Sequence, residues 1–275
     1  MLKFSKMNGN GNDFLVLDNR SLEFSTQQLV SMTLKLCQRR QAIGADGILV
    51  VEPSKRLAFK MRLFNRDGSE GEMCGNGARC IARYAFEEKI AGDTMCFETL
   101  GGDQHATVNG RRVALQLAPI SEKDVQLNRN CTLDGQKIVY NYLTVGVPHV
   151  VIFESDVRQD EEYFELGKKL RNSLELFPRG ANINFAVKRK DEENGYTAVT
   201  YERGVEALTL SCGTGCTSIA IAAYLTGLGG KIAEVHNPGG TNRIIISEKN
   251  GIISPLLEGL TVRVGDVFVA DEMLS

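Results

Sequence analysis

The stretch Asn65 to Cys80 reads N-R-D-G-S-E-G-E-M-C-G-N-G-A-R-C, a polar, glycine-rich loop that runs into a helical pattern. The apolar side chains of that pattern, at the spacing of one helix face, are Ala78, Ile81, Ala82, Ala85 and Phe86. The spacing predicts that Cys74 stands at a helix N-terminus, where unpaired backbone N–H groups and the positive end of the helix dipole favour thiolate over thiol. Cys74 is therefore a candidate nucleophile or proton-transfer base.

The same arrangement recurs about half the chain later. Glu202 to Cys216 reads E-R-G-V-E-A-L-T-L-S-C-G-T-G-C, in which C-G-x-G again enters an apolar helix. Each motif follows a strand pattern and a polar turn, so we predict an internal duplication. The expected fold class is α+β, with two domains of similar topology built from short strands and one such helix each.

Composition and charge narrow the class of protein. The 275-residue chain is 43% hydrophobic, enough for a buried core in two domains or one large one. Its formal charge of −2, with both signs interspersed, gives no electrostatic footprint for a nucleic-acid partner. The chain opens on an alternating strand pattern instead of a secretory signal, and its apolar runs are too short to span a bilayer. We expect a cytoplasmic protein with reduced thiols and no membrane partner.

Other patterns predict element and domain boundaries. A helix is predicted over 26–38 with Thr26 as its cap, and the polar stretch Ser121 to Gly135 is interpreted as a crossing between the halves. The expected domains are 1–120, joined by 260–275, and 121–259. His105 and His236 are interpreted as surface or structural residues. The cysteines interpreted as core residues are Cys37, Cys80, Cys96, Cys131 and Cys216.

Several kinds of cysteine chemistry fit poorly. The local spacings C-x5-C and C-x3-C, with three histidines in the chain, argue against a zinc site, and the C-x-x-C of a thioredoxin-like site is absent. A cysteine hydrolase with His149 as its base would leave the second cysteine without a role. No dinucleotide or pyridoxal-phosphate motif stands out, so we predict no cofactor and no metal.

Two thiols at helix N-termini suit the inversion of a stereocentre beside a carboxylate. Inversion needs a base on one face of the carbon and an acid on the other. The N–H groups of Gly75-Asn76-Gly77 and Gly213-Thr214-Gly215 would bind the carboxylate and stabilise the developing negative charge. The pattern predicts a cofactor-independent amino-acid racemase or epimerase.

Four stretches together resemble the diaminopimelate epimerase family over nearly the full length. They are K-M-N-G-N-G-N-D-F from Lys6, F-N-R-D-G-S-E-G-E-M-C-G-N-G-A-R-C from Phe64, the Pro148-His149 pair, and E-R-G-V-E-A-L-T-L-S-C-G-T-G from Glu202. The resemblance implies two pseudo-symmetric α/β domains, each a barrel-like, mostly antiparallel sheet around a central helix, with the active site in the cleft between them. It also implies epimerisation of LL-diaminopimelate to the meso form, in lysine and peptidoglycan precursor biosynthesis, and a homodimer.

The same resemblance assigns roles to individual residues. Cys74 and Cys212 are the acid and base, exchanging with the direction of reaction, and His149 and Glu202 assist them. The residues implied to hold the distal amino and carboxylate groups of the substrate are Asn12, Asn65, Asn182 and Arg203. Those implied to bind the reacting carboxylate are Gly75, Asn76, Gly213 and Thr214.

One departure bears on the substrate. The family usually has G-N-P-H where this chain has Gly146-Val147-Pro148-His149, and valine can neither donate nor accept a hydrogen bond. A related racemase acting on another amino acid, such as histidine, is therefore the alternative. A third hypothesis is a scaffold that only binds a small amino acid, against which the two cysteines at helix starts argue.

Overall fold

The computed structural model describes residues 1–274, so Ser275, the last residue of the predicted 260–275 segment, lies outside the described residues. The chain divides into two compact units. One is formed by residues 1–115 and the residues from Gly259 onward, the other by Gln116–Glu258. The boundary near the C-terminus falls inside one long strand, β18 (Ile252–Val269). Strands dominate both units, and the predicted α+β class is confirmed.

The first unit is built from strands around one buried helix. Its elements before β18 are β1 (Leu2–Gly9), β2 (Asn12–Asp18), α1 (Thr26–Leu36), β3 (Gly47–Glu52), β4 (Lys60–Asn65), β5 (Glu70–Gly71), α2 (Gly75–Glu87), β6 (Thr94–Phe97), β7 (Gln104–Asn109) and β8 (Arg112–Gln116). The helix α2 packs against β1, β2, β3, β4 and β7. Close approach to the sheet favours Gly77, since a Cβ there would lie only 3.1 Å from Cδ2 of Leu49.

Local chemistry explains how this unit begins. The β1–β2 hairpin turns at Asn10 and Gly11, whose φ angles of 53° and 86° are the left-handed values that a tight hairpin needs. The cap of α1 is Ser25 and not Thr26, so the predicted cap is wrong by one residue. Ser25 and Gln28 form a reciprocal capping box, a contribution of about 1 kcal/mol.

The second unit repeats the arrangement. Its elements are β9 (Ile120–Ser121), β10 (Gln126–Leu133), β11 (Gln136–Val145), β12 (Val147–Glu154), α3 (Asp160–Arg171), β13 (Asn182–Lys188), β14 (Gly195–Glu202), β15 (Ala207–Thr209), α4 (Gly213–Leu225), β16 (Ile232–Asn237) and β17 (Gly240–Lys249). Short 3-10 turns lie at Glu122–Asp124 and Asp271–Met273.

The order of strand pairing is the same in both units. In the first, β1 and β2 are antiparallel, β2 and β3 are parallel across α1, β3 pairs antiparallel with β4 and β4 with β5, and α2 follows. In the second, β11 to β15 repeat these pairings across α3, and α4 follows. Since each repeat ends by delivering a cysteine to a helix start, the duplication read from the sequence extends to the topology.

Three sequence-based interpretations are wrong. Part of the polar stretch Ser121 to Gly135 forms a strand, β10, which pairs with β11. The residues of β10 are mostly exposed, so no alternation of apolar side chains predicts a strand there. Cys96 and Cys131 are half-buried and not core residues, whereas Cys37, Cys80 and Cys216 are buried as predicted.

In residues 1–274, no helix has the length and apolar character needed to cross a membrane.

Candidate active site

Cys74 is the N-cap of α2, as the sequence predicts. Its φ of −135° and ψ of 121° are extended, and its carbonyl accepts a hydrogen bond from the backbone N–H of Ala78 over 2.7 Å. The side chain is half-buried, and its Sγ lies 3.4 Å from Oδ1 of Asn12. Gly75 and Asn76 occupy the first two helical positions, whose N–H groups have no acceptor within the helix.

Asn12 is held in one orientation. Its Nδ2 donates to Oδ2 of Asp46 over 2.7 Å, which turns its side-chain oxygen toward Cys74. Asn12 is the first residue of β2, and Asp46 immediately precedes β3, which runs parallel to β2. The parallel pairing therefore brings the amide and the carboxylate together at one end of the sheet.

Charged side chains surround Asp46 and were missed by the sequence analysis. Arg39 donates to Asp46 over 2.9 Å and also pairs with Asp13, which Lys6 contacts as well. Although burial acts to raise the pKa of Asp13, hydrogen bonds from Arg39 and Lys6 hold it below its ordinary value. The sequence shows Asp46 only as a turn residue, because the pairing that assembles the network joins segments far apart in the chain.

Asn65 ends β4 and begins the loop that leads to Cys74. Its backbone N–H donates to the carbonyl of Ser69 over 2.8 Å, and its Nδ2 lies 3.1 Å from the hydroxyl of Ser69. Beyond this turn, Glu70 accepts two hydrogen bonds from Arg62, over 2.7 and 2.9 Å. Glu70 therefore fixes the loop to β4.

Helix α2 contains a buried cation near its N-terminus. Arg79 is fully buried and donates to Oδ1 of Asn76 over 2.7 Å. The bond fixes the side chain of a residue implied to bind the reacting carboxylate. The sequence motif gives Arg79 no role, although an arginine inside an apolar helix pattern is a signal that the sequence does contain.

Cys212 is the N-cap of α4, and its side chain is only 7% exposed. Helix α4 is apolar on all sides and buried along most of its length, so its first residues are withdrawn from water. The sulfur lies 3.5 Å from Oγ1 of Thr214. Gly213 and Thr214 occupy the first two helical positions, whose N–H groups have no acceptor within the helix.

At Cys212, burial opposes the effect of the helix N-terminus on the pKa of the thiol. Burial raises the pKa of Cys212 well above its ordinary value, and the nearby Glu202 carboxylate adds to the rise. The hydroxyl of Thr214 and the N–H of Gly215 act in the predicted direction but are outweighed. Cys212 is therefore a protonated thiol at neutral pH.

Glu202 ends β14, where the chain turns to pair with β15. Burial raises the pKa of Glu202, and the hydroxyl of Thr209 opposes the rise. The neighbouring groups Glu202 and Cys212 thus both hold their protons more tightly than they would in water.

Asn182 and Arg203 lie together in the second unit. The side-chain oxygen of Asn182 accepts from the backbone N–H of Arg203 over 2.8 Å, and Nη1 of Arg203 donates to the carbonyl of Arg179 over 2.7 Å. Asn182 is buried and pairs directly with His149 on the neighbouring parallel strand. The structure thus brings three of the implied residues together.

His149 is fully buried on β12. Its Nδ1 lies 3.2 Å from Nδ2 of Asn184. Burial lowers the pKa of His149 to about 3, and the positive charge of Arg203 contributes to the fall. His149 is therefore a neutral imidazole at physiological pH.

Polar side chains also support the turn before Cys212. Sγ of Cys216 lies 2.8 Å from Oδ1 of Asn237, and Nδ2 of Asn242 donates to the hydroxyl of Ser211 over 3.0 Å. Cys216 is buried as predicted, but it belongs to a polar network that holds the Ser211 turn and not to a purely apolar core. His236 bonds to Glu192 and Thr241, as expected of a structural residue.

Val147 begins β12 and is half-buried. It follows Gly146, whose φ of 69° lies in the left-handed region that favours glycine. Two positions further along the same strand lies His149. A side chain at 147 is thus placed by the same strand as one of the implied catalytic residues.

Known proteins match the chain along most of its length. The family model described as diaminopimelate epimerase matches residues 4–117 and 141–258. The diaminopimelate epimerase of Caldanaerobacter subterraneus is 40% identical, over 91% of this chain and 94% of that protein. That of Methanothrix thermoacetophila is 37% identical, over 100% of this chain and 98% of that protein.

Solved structures with lower identity share the fold. A hydroxyproline epimerase from Agrobacterium vitis has a TM-score of 0.68 at 15% identity, covering 98% of this chain and 90% of that chain. A Bacillus anthracis phenazine biosynthesis protein of the PhzF family has a TM-score of 0.70 at 15% identity, covering 98% and 99%. Given the family match and the identities of its relatives, the chain belongs to the diaminopimelate epimerase family and is an isomerase.

Proposed function

We propose that the protein converts LL-diaminopimelate to meso-diaminopimelate without a cofactor, by two-base proton transfer at Cα. The observation that carries the proposal is the repeated placement of a cysteine, Cys74 or Cys212, as the N-cap of a helix that ends a duplicated strand order. Relatives of 34 to 40% identity that are described as diaminopimelate epimerases support the choice of substrate.

The reaction requires one thiolate and one thiol. The thiolate takes the Cα proton from one face, and the electron pair left on carbon is delocalised into the carboxylate. The thiol delivers its proton to the other face, which inverts the centre and leaves the cysteines with exchanged protonation states. Burial favours the protonated form of Cys212. In the direction that starts with a Cys212 thiol, Cys212 is therefore the acid and Cys74 is the base.

The negative charge that develops on the carboxylate needs fixed donors. The N–H groups of Gly75, Asn76, Gly213 and Thr214, at the first positions of α2 and α4, supply them. Preorganised donors of this kind contribute about 10²- to 10³-fold each to kcat. After turnover the protonated Glu202 carboxyl donates a proton to the Cys212 thiolate and regains one from solvent, while the Cys74 thiol releases its proton to solvent.

The distal amino and carboxylate groups of the substrate are bound by Asn12, Asn65, Asn182 and Arg203. Amide side chains both donate and accept hydrogen bonds, and a guanidinium pairs with a carboxylate, so this set matches an amino acid end group. Val147 supplies no such contact. This single residue favours the second candidate function, racemisation of another amino acid such as histidine by the same two cysteines.

A substrate panel in deuterium oxide tests the proposal. LL- and meso-diaminopimelate are incubated with the protein beside histidine, proline, glutamate and alanine, and Cα deuterium is followed by NMR and mass spectrometry. We expect deuterium at Cα of diaminopimelate only, with both diastereomers formed. Exchange with another amino acid but not with diaminopimelate would identify that amino acid as the substrate. Exchange with none of them would favour the hypothesis that the protein only binds a small amino acid.

A further inference from the structure

The side-chain amide of Asn184 has one possible orientation. Its Nδ2 donates to the carbonyl of Val150 over 2.8 Å and lies 3.4 Å from that of Asn182, while its Oδ1 accepts from the hydroxyl of Thr200 over 2.9 Å. Rotating the amide by half a turn would direct its oxygen at two carbonyl oxygens. Because neither carbonyl can donate, the rotated form is excluded.

This orientation determines where His149 carries its proton. The same Nδ2 lies 3.2 Å from Nδ1 of His149, and it can only donate. A proton on Nδ1 would place two donors against each other, which rules out both the Nδ1–H tautomer and the imidazolium ion. His149 is therefore neutral, with its proton on Nε2.

The other ring nitrogen is unused. Nε2 of His149 is buried and has no hydrogen-bond partner in residues 1–274. A buried N–H donor without an acceptor is energetically unfavourable, and such groups are rare in native proteins. An acceptor that arrives with the substrate would remove this penalty.

Asn184 also touches the helix that begins with Cys212. A Cβ on Gly215 would lie 2.3 Å from Oδ1 of Asn184 and 3.2 Å from the hydroxyl of Thr200, so only glycine fits there. Asn184 and Thr200 are directly opposite each other on β13 and β14. The amide thus lies between the imidazole and the first turn of α4, wedged by both.

We propose that Asn184 is a positioning residue, which fixes His149 as its Nε2–H tautomer so that His149 serves the reaction as a neutral hydrogen-bond donor and not as a base. The inference rests on the proposed function for the reaction that His149 serves. The acceptor it meets is an anionic oxygen or sulfur of the reacting complex. Asn184 contacts His149, Thr200 and backbone carbonyls, and it acts through the imidazole.

The tautomer is measured directly on the full-length protein without substrate. Long-range ¹H–¹⁵N correlation spectra distinguish the two ring nitrogens, and the chain has 3 histidines, so His149→Gln identifies the signal. We expect a neutral Nε2–H imidazole at about pH 7. An Nδ1–H tautomer or an imidazolium in the wild-type protein would overturn the inference, whatever the variants do.

Asn184→Asp tests the link to catalysis. A carboxylate accepts from Nδ1–H, so we expect the tautomer to switch or the ring to become protonated, and kcat to fall about 100-fold with KM little changed. Asn141→Asp places the same change at another buried asparagine of the unit and should alter neither the spectrum nor kcat. A switched tautomer with unchanged kcat would refute the role.

Two milder substitutions at Thr200 test the same link if Asn184→Asp does not fold. Thr200→Val removes the hydroxyl that orients the amide and should lower kcat about 2- to 10-fold, while Thr200→Ser keeps it and should retain activity. The proposed function fails separately, if wild-type protein does not turn over diaminopimelate. The spectrum of His149 remains decisive in that case, because it needs no substrate.

Discussion

Sγ of Cys74 lies 3.4 Å from the side-chain oxygen of Asn12, whose amide nitrogen is held by Asp46. At this place the side-chain oxygen accepts a hydrogen bond from the Cys74 thiol. The contact joins the first hairpin of the chain to the helix that the sequence identifies as catalytic. The Cys212 sulfur instead meets a hydroxyl, that of Thr214, which can donate.

Asn12→Ala removes both hydrogen bonds of this side chain. We expect kcat/KM for diaminopimelate to fall about 10- to 100-fold, since the loss is that of one or two polar contacts of about 1.5 kcal/mol each. Steady-state kinetics measure it. Asn130→Ala, at an exposed position of β10, is the matched control and should be neutral. Equal kinetics of the two variants would exclude Asn12 from the site.

Cys74→Ala and Cys212→Ala should each lower the rate of epimerisation at least about 10³-fold, because each removes an acid–base group. Each variant keeps one thiol, so exchange of the Cα proton with solvent should persist for one diastereomer only. NMR in deuterium oxide detects it. Cys80→Ala, on the buried side of α2, should keep kcat and lose about 1 kcal/mol of stability. Near-normal epimerisation by either catalytic variant would refute the two-base mechanism.

Glu202→Gln should lower the pKa of Cys212. The Glu202 carboxylate disfavours the thiolate, so removing its charge makes ionisation easier, while burial continues to oppose it. Thiolate absorbance is titrated with pH in Glu202→Gln and in the double variant with Cys212→Ala, and the difference reports Cys212. Glu192→Gln, which pairs with His236, should leave the titration where it is. An unchanged midpoint in Glu202→Gln would show that the two groups do not interact.

Acid should destabilise the protein through His149. The unfolded chain binds a proton on this histidine near its ordinary pKa of 6.5, whereas the folded protein does so only near about 3. Between these values the unfolded state holds more protons than the folded state. The free energy of unfolding therefore decreases as the pH is lowered, by about 1.4 kcal/mol per pH unit from this group. Urea unfolding across this range, compared with His149→Gln, isolates the effect. If the free energy of unfolding depended on pH in the same way in the wild-type protein and in His149→Gln, the neutral buried imidazole would be contradicted.

Val147→Asn restores an amide beside the site. If position 147 contacts the distal group of the substrate, kcat/KM for diaminopimelate should rise about 5- to 100-fold relative to histidine, the effect of one polar contact of about 1–3 kcal/mol. Val147→Leu, which adds bulk without polarity, is the control. An unchanged preference would show that Val147 plays no part in selecting the substrate.

Local patterns were sufficient for the elements that carry the chemistry. The helix starts at Cys74 and Cys212 follow from glycine, polar loop and apolar periodicity, all within one window. The strand β10 escaped notice because its side chains are polar and exposed, and only its pairing with β11 makes it a strand. Pairing is a property of two segments and cannot be read from either alone.

The polar networks were beyond the sequence for the same reason. Asp46, Arg39 and Asn12 meet because β2 and β3 are parallel, and Asn184 reaches His149 because β12 and β13 are. The electrostatic outcome at Cys212 also depended on depth. The motif indicates helix N–H groups, which lower a thiol pKa, but not the burial that outweighs them.

The path of β18 sets the order in which the chain can fold as it leaves the ribosome. Leu2 pairs with Val269 and Gly9 with Thr261, so β1 lacks this partner strand until residues 261–269 have been synthesised. Gln116–Glu258, by contrast, is one continuous segment and has its whole sequence available earlier. The middle of the chain is therefore able to fold first, while the N-terminal strands wait with an open edge that needs protection from aggregation.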